Sequence, residues 1–309
     1  MDQICCVKQI LDKIQSYQAE NYFPPDSLLV LLGPTASGKT ALAVELAKIL
    51  DAEIISADSR QIFKGMDIGT GKDIDTYENI PYHLINIKEA GEKYNVAEFR
   101  KDFFEAYDKI IARGKQVILC GGSASYIHSL LVARPYNQIP TSTDYATLME
   151  PYSKEQLVKE INKKIIPPDL KIDFNSKKRI IRSLEIIDYL EKNSSYLLKD
   201  PFIIKNYLIF GLNPPTLERR KKISRRLYQR IEEGLIAEVE NLVKQGVSYD
   251  DLIFYGLEYK YVSYLLQELI SYEEFLKKLE TEIHRYAKRQ MTFFRKMEKD
   301  GLHIHWLTT

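Results

Sequence analysis

The stretch Gly33-Pro34-Thr35-Ala36-Ser37-Gly38-Lys39-Thr40 limits what this chain can fold into more than any other. It completes the pattern G-x-x-x-x-G-K-[ST], follows the apolar run Leu28–Leu32 and opens a stretch of helical apolar spacing, so it predicts a strand, a loop and a helix in that order. The residue types follow from the chemistry. Glycines let successive backbone N–H groups turn inward on phosphate oxygens, Lys39 adds a cation, and the Thr40 hydroxyl is placed to hold Mg²⁺. Gly33, Pro34, Thr35, Ala36, Ser37, Gly38, Lys39 and Thr40 are therefore the predicted phosphate-binding residues.

Short apolar runs alternate with longer amphipathic stretches through the rest of the chain. Strands are predicted at Leu28–Leu32, 53–57, 83–87, 116–120, Tyr207–Leu212 and 303–307, with a helix over 96–113. Strands this uniformly apolar need cover on both faces. The predicted fold class is α/β, a P-loop NTPase-like parallel sheet flanked by helices, with a small helical insertion and a helical carboxyl-terminal portion. Residues 1–26 read as an amino-terminal helical extension whose Ile4, Ile10, Leu11 and Ile14 share one face. Residues 27–132 and 176–309 read as the phosphate-loop core with its carboxyl-terminal helices. The inserted region is 133–175, where prolines 135, 140, 151, 167 and 168 flank one short helix at 154–163. Charged helices at 176–192, 216–234 and Tyr272–Lys299 either wrap the sheet or form a helical wing, and the pattern leaves both open.

Lysine and arginine total 44 against 43 acidic residues, a net charge of +1 that gives no sign of a polyanionic partner. What matters for such a partner is where the charge gathers. Basic residues cluster at Arg219, Arg220, Lys221, Lys222, Arg225 and Arg226, at Lys177, Lys178, Arg179 and Arg182, and again at Arg285, Lys288, Arg289, Arg295 and Lys296. Runs of this kind serve equally as solvated helix faces. No apolar run approaches the 18 or so residues of a membrane span, so no membrane partner is expected. The amino terminus lacks the features of a secretory signal, which predicts a reducing cytoplasm. Cys5, Cys6 and Cys120 have no metal-ligand spacing, and the histidines are scattered.

A phosphate loop alone does not name a reaction. Nucleotide hydrolases usually end a later apolar strand in a Mg²⁺-binding aspartate, but Val117-Ile118-Leu119-Cys120 runs into Gly121-Gly122. An acidic residue does stand at another strand end, Asp58. Ligands of open α/β sheets lie beyond the carboxyl ends of the strands, which would put Asp58 across from the phosphate loop as a proton acceptor. A turn or helix-capping aspartate is the competing reading.

Asp58 lies within Ser56-Ala57-Asp58-Ser59-Arg60-Gln61-Ile62-Phe63-Lys64-Gly65-Met66-Asp67-Ile68-Gly69-Thr70-Gly71-Lys72. Together with the phosphate loop, Gly121-Gly122-Ser123-Ala124-Ser125-Tyr126, the block from Arg179 to Glu185, the block from Glu232 to Val239 and the block from Tyr286 to Arg295, this segment closely resembles the tRNA dimethylallyltransferase (tRNA isopentenyltransferase) family. The resemblance implies a particular use of the loop: it holds the diphosphate of dimethylallyl diphosphate, with Mg²⁺ at Thr40. The prenyl group then passes to N6 of the adenosine at position 37 of tRNA, adjacent to the anticodon. By the same resemblance Asp58 takes the N6 proton, and Lys39, Ser123 and Arg226 complete the catalytic set. Asp58, Ser59, Gln61, Lys72, Arg179, Arg182, Lys288, Arg289 and Gln290 are the residues expected to contact tRNA, and a cytoplasmic monomer is expected. Gly71, Ser123, Ser125 and Glu258 depart from the commoner family residues, as does Lys222, which stands where the family has an arginine. Two other enzyme readings share the loop: an adenylate isopentenyltransferase acting on the free nucleotide, and a P-loop small-molecule phosphotransferase that binds ATP. A non-catalytic RNA-binding protein is a third alternative.

Overall fold

A computed structural model of the chain describes residues 3–20, 24, 26–133, 136, 139–168, 170–193 and 203–307. The chain divides into two units, Met1–Val132 with Ile204–Thr309, and Ala133–Ile203.

Among the described residues of the larger unit, six strands form one parallel sheet. They are β1 (Leu28–Leu32), β2 (Ala52–Ser56), β3 (Tyr82–His83), β4 (Gln116–Gly121), β5 (Tyr207–Leu212) and β6 (Ile304–Leu307), in the order β3-β2-β4-β1-β5-β6. The all-apolar β1 takes the centre, where Val30 is registered with Leu119 on one side and Ile209 on the other. Successive side chains of a strand point to opposite faces, so β1 feeds two cores. Leu28, Val30 and Leu32 join Phe99, Phe103, Ile127 and Phe294. Leu29 and Leu31 join Leu42, Leu46, Ile10 and Ile14.

The first core is covered by α3 (Val96–Ala112), α4 (Ala124–Leu131), α8 (Thr216–Glu232) and the long α12 (Tyr272–Lys299). Asn95 and Glu98 close a capping box on α3, and Ser271 and Glu274 do the same for α12, so both helices begin where local chemistry satisfies their first N–H groups. Phe275, Leu279, Ile283, Ala287 and Met291 step by four along α12 and are all buried. Of the three charged helices, those at 216–234 and Tyr272–Lys299 therefore cover the sheet.

The second core is covered by α1 (Gln3–Ala19) and α2 (Lys39–Leu50). Residues 1–26 thus do not form a separate extension, because α1 is a layer of the larger unit. Its buried face is Cys6, Ile10 and Ile14, while Ile4 is 81% exposed. The thiol of Cys6 behaves as a small hydrophobe and takes the place predicted for Ile4. Strand β3 is shorter than the predicted 83–87 because Leu84 and Asn86 adopt φ of 60° and 57°, which no strand accommodates.

Among its described residues the smaller unit carries α5 (Thr143–Met149), α6 (Lys154–Ile161) and α7 (Lys177–Lys192). Leu157 and Ile161 of α6 bury against Ile180, Ile181 and Leu184 of α7. The predicted boundary at 175 is corrected to 203, since a helix as short as α6 needs a partner to bury its face and α7 supplies it. Pro135 lies outside the described residues.

Replacing Ile10 by Ala should lower stability by about 2–5 kcal/mol, and Ile4→Ala should change it by no more than about 0.5 kcal/mol, both read by urea unfolding. On β6, burial first and then His303 and Lys13 push His305 down to about 4 from an ordinary 6.5. Between those two values the unfolded chain holds a proton that the folded chain does not, so this residue makes stability fall as pH drops from 6.5 towards 4. His305→Phe should flatten that part of the acid profile.

Candidate active site

Parallel strands carry their carboxyl ends to one edge, so the segments that follow β1, β2 and β4 meet there. They border a cavity of ≈ 520 Å³ whose lining includes Lys39, Thr40, Asp58, Ser123 and Arg226. Its size suits a small molecule with a base rather than a macromolecular strand.

The loop after β1 turns through Ala36 and Gly38, at φ of 59° and 86°. Helix α2 starts at Lys39 with no side-chain cap, so its first N–H groups are left for a ligand. The Lys39 ammonium donates to the Pro34 carbonyl at 3.1 Å. Burial holds Lys39 below its ordinary lysine value, offset in part by Cys120 and Asp58 and reinforced by Arg226. An anion seated in the loop would favour the charged form. The Ser37 hydroxyl is buried with no hydrogen-bond partner among the described residues, a polar atom the protein itself leaves unused.

The hydroxyl oxygen of Thr40 is of the type that fits Mg²⁺. That ion keeps several waters and takes one or two protein oxygens with substrate phosphates. The Thr40 hydroxyl borders the cavity, and among the described residues no three His, Cys, Asp or Glu side chains gather into a cage.

Asp58 makes a turn contact and also stands at the cavity. Its Oδ1 accepts from the Arg60 N–H at 3.0 Å, closing a turn, while the residue borders the cavity. Ser123 joins two of the converging segments: its Oγ accepts from Ser59 N–H at 2.9 Å and donates to Ser59 Oγ at 3.2 Å. Gly121 permits this closeness, for a Cβ there would overlap the Ala57 carbonyl. Gln290, expected on tRNA, clamps α12 to the phosphate loop instead. Its Oε1 accepts from Thr35 N–H at 2.9 Å, and its Nε2 donates to the Gly122 carbonyl at 3.0 Å. Gln61 likewise accepts from Ser56 Oγ at 3.2 Å and donates to the Gly71 carbonyl at 3.1 Å. Both amides border the cavity with their polar groups already engaged.

Lys72, expected on tRNA, is engaged within the protein. Its side chain is fully buried, and Nζ donates to the Phe63 carbonyl, Asp67 Oδ1 and Asn86 Oδ1 at 2.5, 2.6 and 2.5 Å. Burial lowers its pKa and Asp67 opposes that. The same segment is held from outside by Glu238 on α9 (Leu235–Lys244), whose carboxylate accepts from Asp67, Ile68 and Gly69 N–H groups at 2.7, 2.7 and 3.0 Å and from the Tyr259 hydroxyl at 2.7 Å. So fixed, the segment presents the Gly71 carbonyl to Arg226 Nη2 at 3.2 Å, and Asp73 holds the same nitrogen at 2.5 Å. Glu238 lies inside a block quoted for the family resemblance but carried no predicted role. Arg230, also at the cavity wall, was missed too, and its spacing of four from Arg226 on one helix was the available signal.

The basic clusters fare unequally. Arg220, Lys221, Lys222 and Arg225 on α8, and Arg285, Lys288, Arg289, Arg295 and Lys296 on α12, are exposed. Arg289 also borders the cavity and lies over the Tyr286 ring at 5.9 Å. In the smaller unit Arg179 pairs with Asp173. Arg182 spends its guanidinium on Glu185 at 2.5 Å and on the Ile139 and Pro140 carbonyls at 2.5 and 2.9 Å, so it fastens its own unit and is not a free phosphate contact.

Residues 61–297 match the family described as IPP transferase. A tRNA dimethylallyltransferase 1 of Azobacteroides pseudotrichonymphae is 46% identical over 284 residues, covering 91% of this chain and 92% of that protein. The chain belongs to this family. A tRNA dimethylallyltransferase 1 of Porphyromonas gingivalis is 45% identical over the same length. The tRNA isopentenylpyrophosphate transferase of Bacillus halodurans shares the fold at TM-score 0.67 and 32% identity, covering 91% of this chain and 89% of its own. A eukaryotic dimethylallyltransferase acting on tRNA, at 23% identity and TM-score 0.71, matches in fold. The P-loop NTPase-like parallel sheet expected from the sequence is the fold of the family.

Lys72→Met should cost about 1–3 kcal/mol in urea unfolding because it leaves the buried Phe63 carbonyl unpaired and removes the contacts to Asp67 and Asn86, whereas Lys288→Ala should stay within about 0.5 kcal/mol.

Proposed function

We infer that this protein transfers the dimethylallyl group of dimethylallyl diphosphate to N6 of the adenosine adjacent to the anticodon of tRNA, releasing diphosphate. The observation that carries the reading is that the phosphate loop and Asp58 border one cavity. The names of the relatives supply the substrate classes.

The exocyclic amine of adenine is a weak nucleophile because its lone pair is delocalised into the ring. It forms a bond to C1 of the prenyl group as the C1–O bond breaks, and the electron pair of that bond leaves on the diphosphate. Asp58 takes the proton released from N6, with the oxygen not engaged by Arg60 free to accept it. The N–H groups at the start of α2, Lys39 and Arg226 stabilise the negative charge gathering on the leaving group. Mg²⁺ held by Thr40 would add neutralising charge there. Seating the base requires taking it out of its stack, at a cost of a few kcal/mol, offset by phosphate contacts. The exposed cations of α8 and α12 lie outside the cavity lining, apart from Arg289, and favour a long polyanionic acceptor over free adenylate. The thiols of Cys6 and Cys120 are buried and unbridged, in keeping with a reducing cytoplasm.

Incubation with Mg²⁺, labelled dimethylallyl diphosphate and tRNA bearing adenosine beside its anticodon should move label to the tRNA and not to AMP. Failure of folded protein to label any such tRNA overturns the reading. Asp58→Asn should lower kcat by about 10²–10⁴ while both KM values stay within a few-fold.

A further inference from the structure

Arg230 stands four residues beyond Arg226 on α8, on the same helix face and at the same cavity wall. It is only 9% exposed. A guanidinium offers five N–H donors. Among the described residues Arg230 uses only Nη1, and both of its contacts are long: the Gly69 carbonyl at 3.3 Å and Glu258 Oε1 at 3.4 Å. A buried cation held so loosely is costly, and Arg226 beside it raises that cost by repulsion. Burial also favours the neutral form of Glu258, which weakens the nearest compensating charge, with Asp73 acting only more weakly.

The backbone has been kept bare to admit this pair. Gly71 sits at φ 60°, and a Cβ there would overlap Nη2 of both Arg230 and Arg226. Two guanidinium groups brought side by side against a glycine, with Lys39 close enough to Arg226 to feel its charge, form a cationic wall in which Asp73 pairs closely with Arg226 while Glu258 reaches Arg230 only at 3.4 Å. We propose that Arg230 joins Lys39 and Arg226 as a third side-chain cation on the diphosphate, in the space left by the missing side chain at Gly71. This rests on reading the cavity as a diphosphate site.

The probe is inorganic pyrophosphate with Mg²⁺, titrated calorimetrically into the full chain, with tRNA affinity measured alongside. Arg230→Met keeps length and removes charge; it should weaken pyrophosphate about 10- to 100-fold and leave tRNA affinity within about twofold. Arg230→Lys should lose about 3- to 10-fold, because lysine keeps the charge without the fork. Gly71→Ala should weaken pyrophosphate at least as much as Arg230→Met, since it crowds both arginines. Pyrophosphate binding unchanged in Arg230→Met overturns the proposal, as does an equal loss of pyrophosphate and tRNA. If Arg230→Met does not fold, by urea unfolding, the lysine variant decides, and wild-type binding there overturns the proposal. A wild-type chain that binds no pyrophosphate removes the site reading as well. One that binds it equally with and without Arg230 removes only this inference.

Discussion

The structure depends on the double burial of β1. Five apolar residues with no polar neighbour between them cannot face water on either side, so the strand lies in the middle of a parallel sheet with a core on each face. A parallel sheet presents all its carboxyl ends on one edge. The phosphate loop, Asp58 and the Gly121–Ser123 turn meet because the strands before them are bound to the same sheet, although they are far apart in the chain.

That edge still has to be made rigid, and buried charge does much of it. Lys72 binds oxygens of Phe63 and Asp67 in its own segment and ties them to Asn86 beyond β3, and Glu238 gathers three N–H groups from outside. Neither cation nor anion is spare, because unpaired buried charges cost several kcal/mol. The segment between them, glycine-rich and irregular, is held in one conformation and offers carbonyls to Arg226, Arg230 and Gln61. Gln290 does the same for the phosphate loop from α12, more than 250 residues away in sequence. A helix that covers the sheet thereby also sets the shape of the cradle.

Much of this was legible. The strand and loop signals place β1 and β5 to the residue and α12 over its full span, because apolar periodicity and capping residues act locally. Asp58, Lys39, Ser123 and Arg226 all reach the cavity as expected. Lys72, Arg182, Gln61 and Gln290 look in sequence like contacts for a substrate and turn out to be engaged by the protein. A lysine reads as solvent-seeking unless its acceptors can be seen, and those of Lys72 come from Phe63, Asp67 and Asn86. Strand β3 failed for a related reason, since left-handed Leu84 and Asn86 carry no warning in an apolar pattern.

From its residues alone, then, the chain determined its parallel α/β class, the phosphate cradle and, through the resemblance, its family. These are written in short contiguous stretches, where spacing and residue type suffice. Only the tertiary structure decided which polar side chains are free for a ligand and which are already bonded. It also decided that α1 is a layer of the larger unit and that α7 belongs with the smaller one. Burial and hydrogen-bond satisfaction are set by partners distant in sequence, and no local pattern records them.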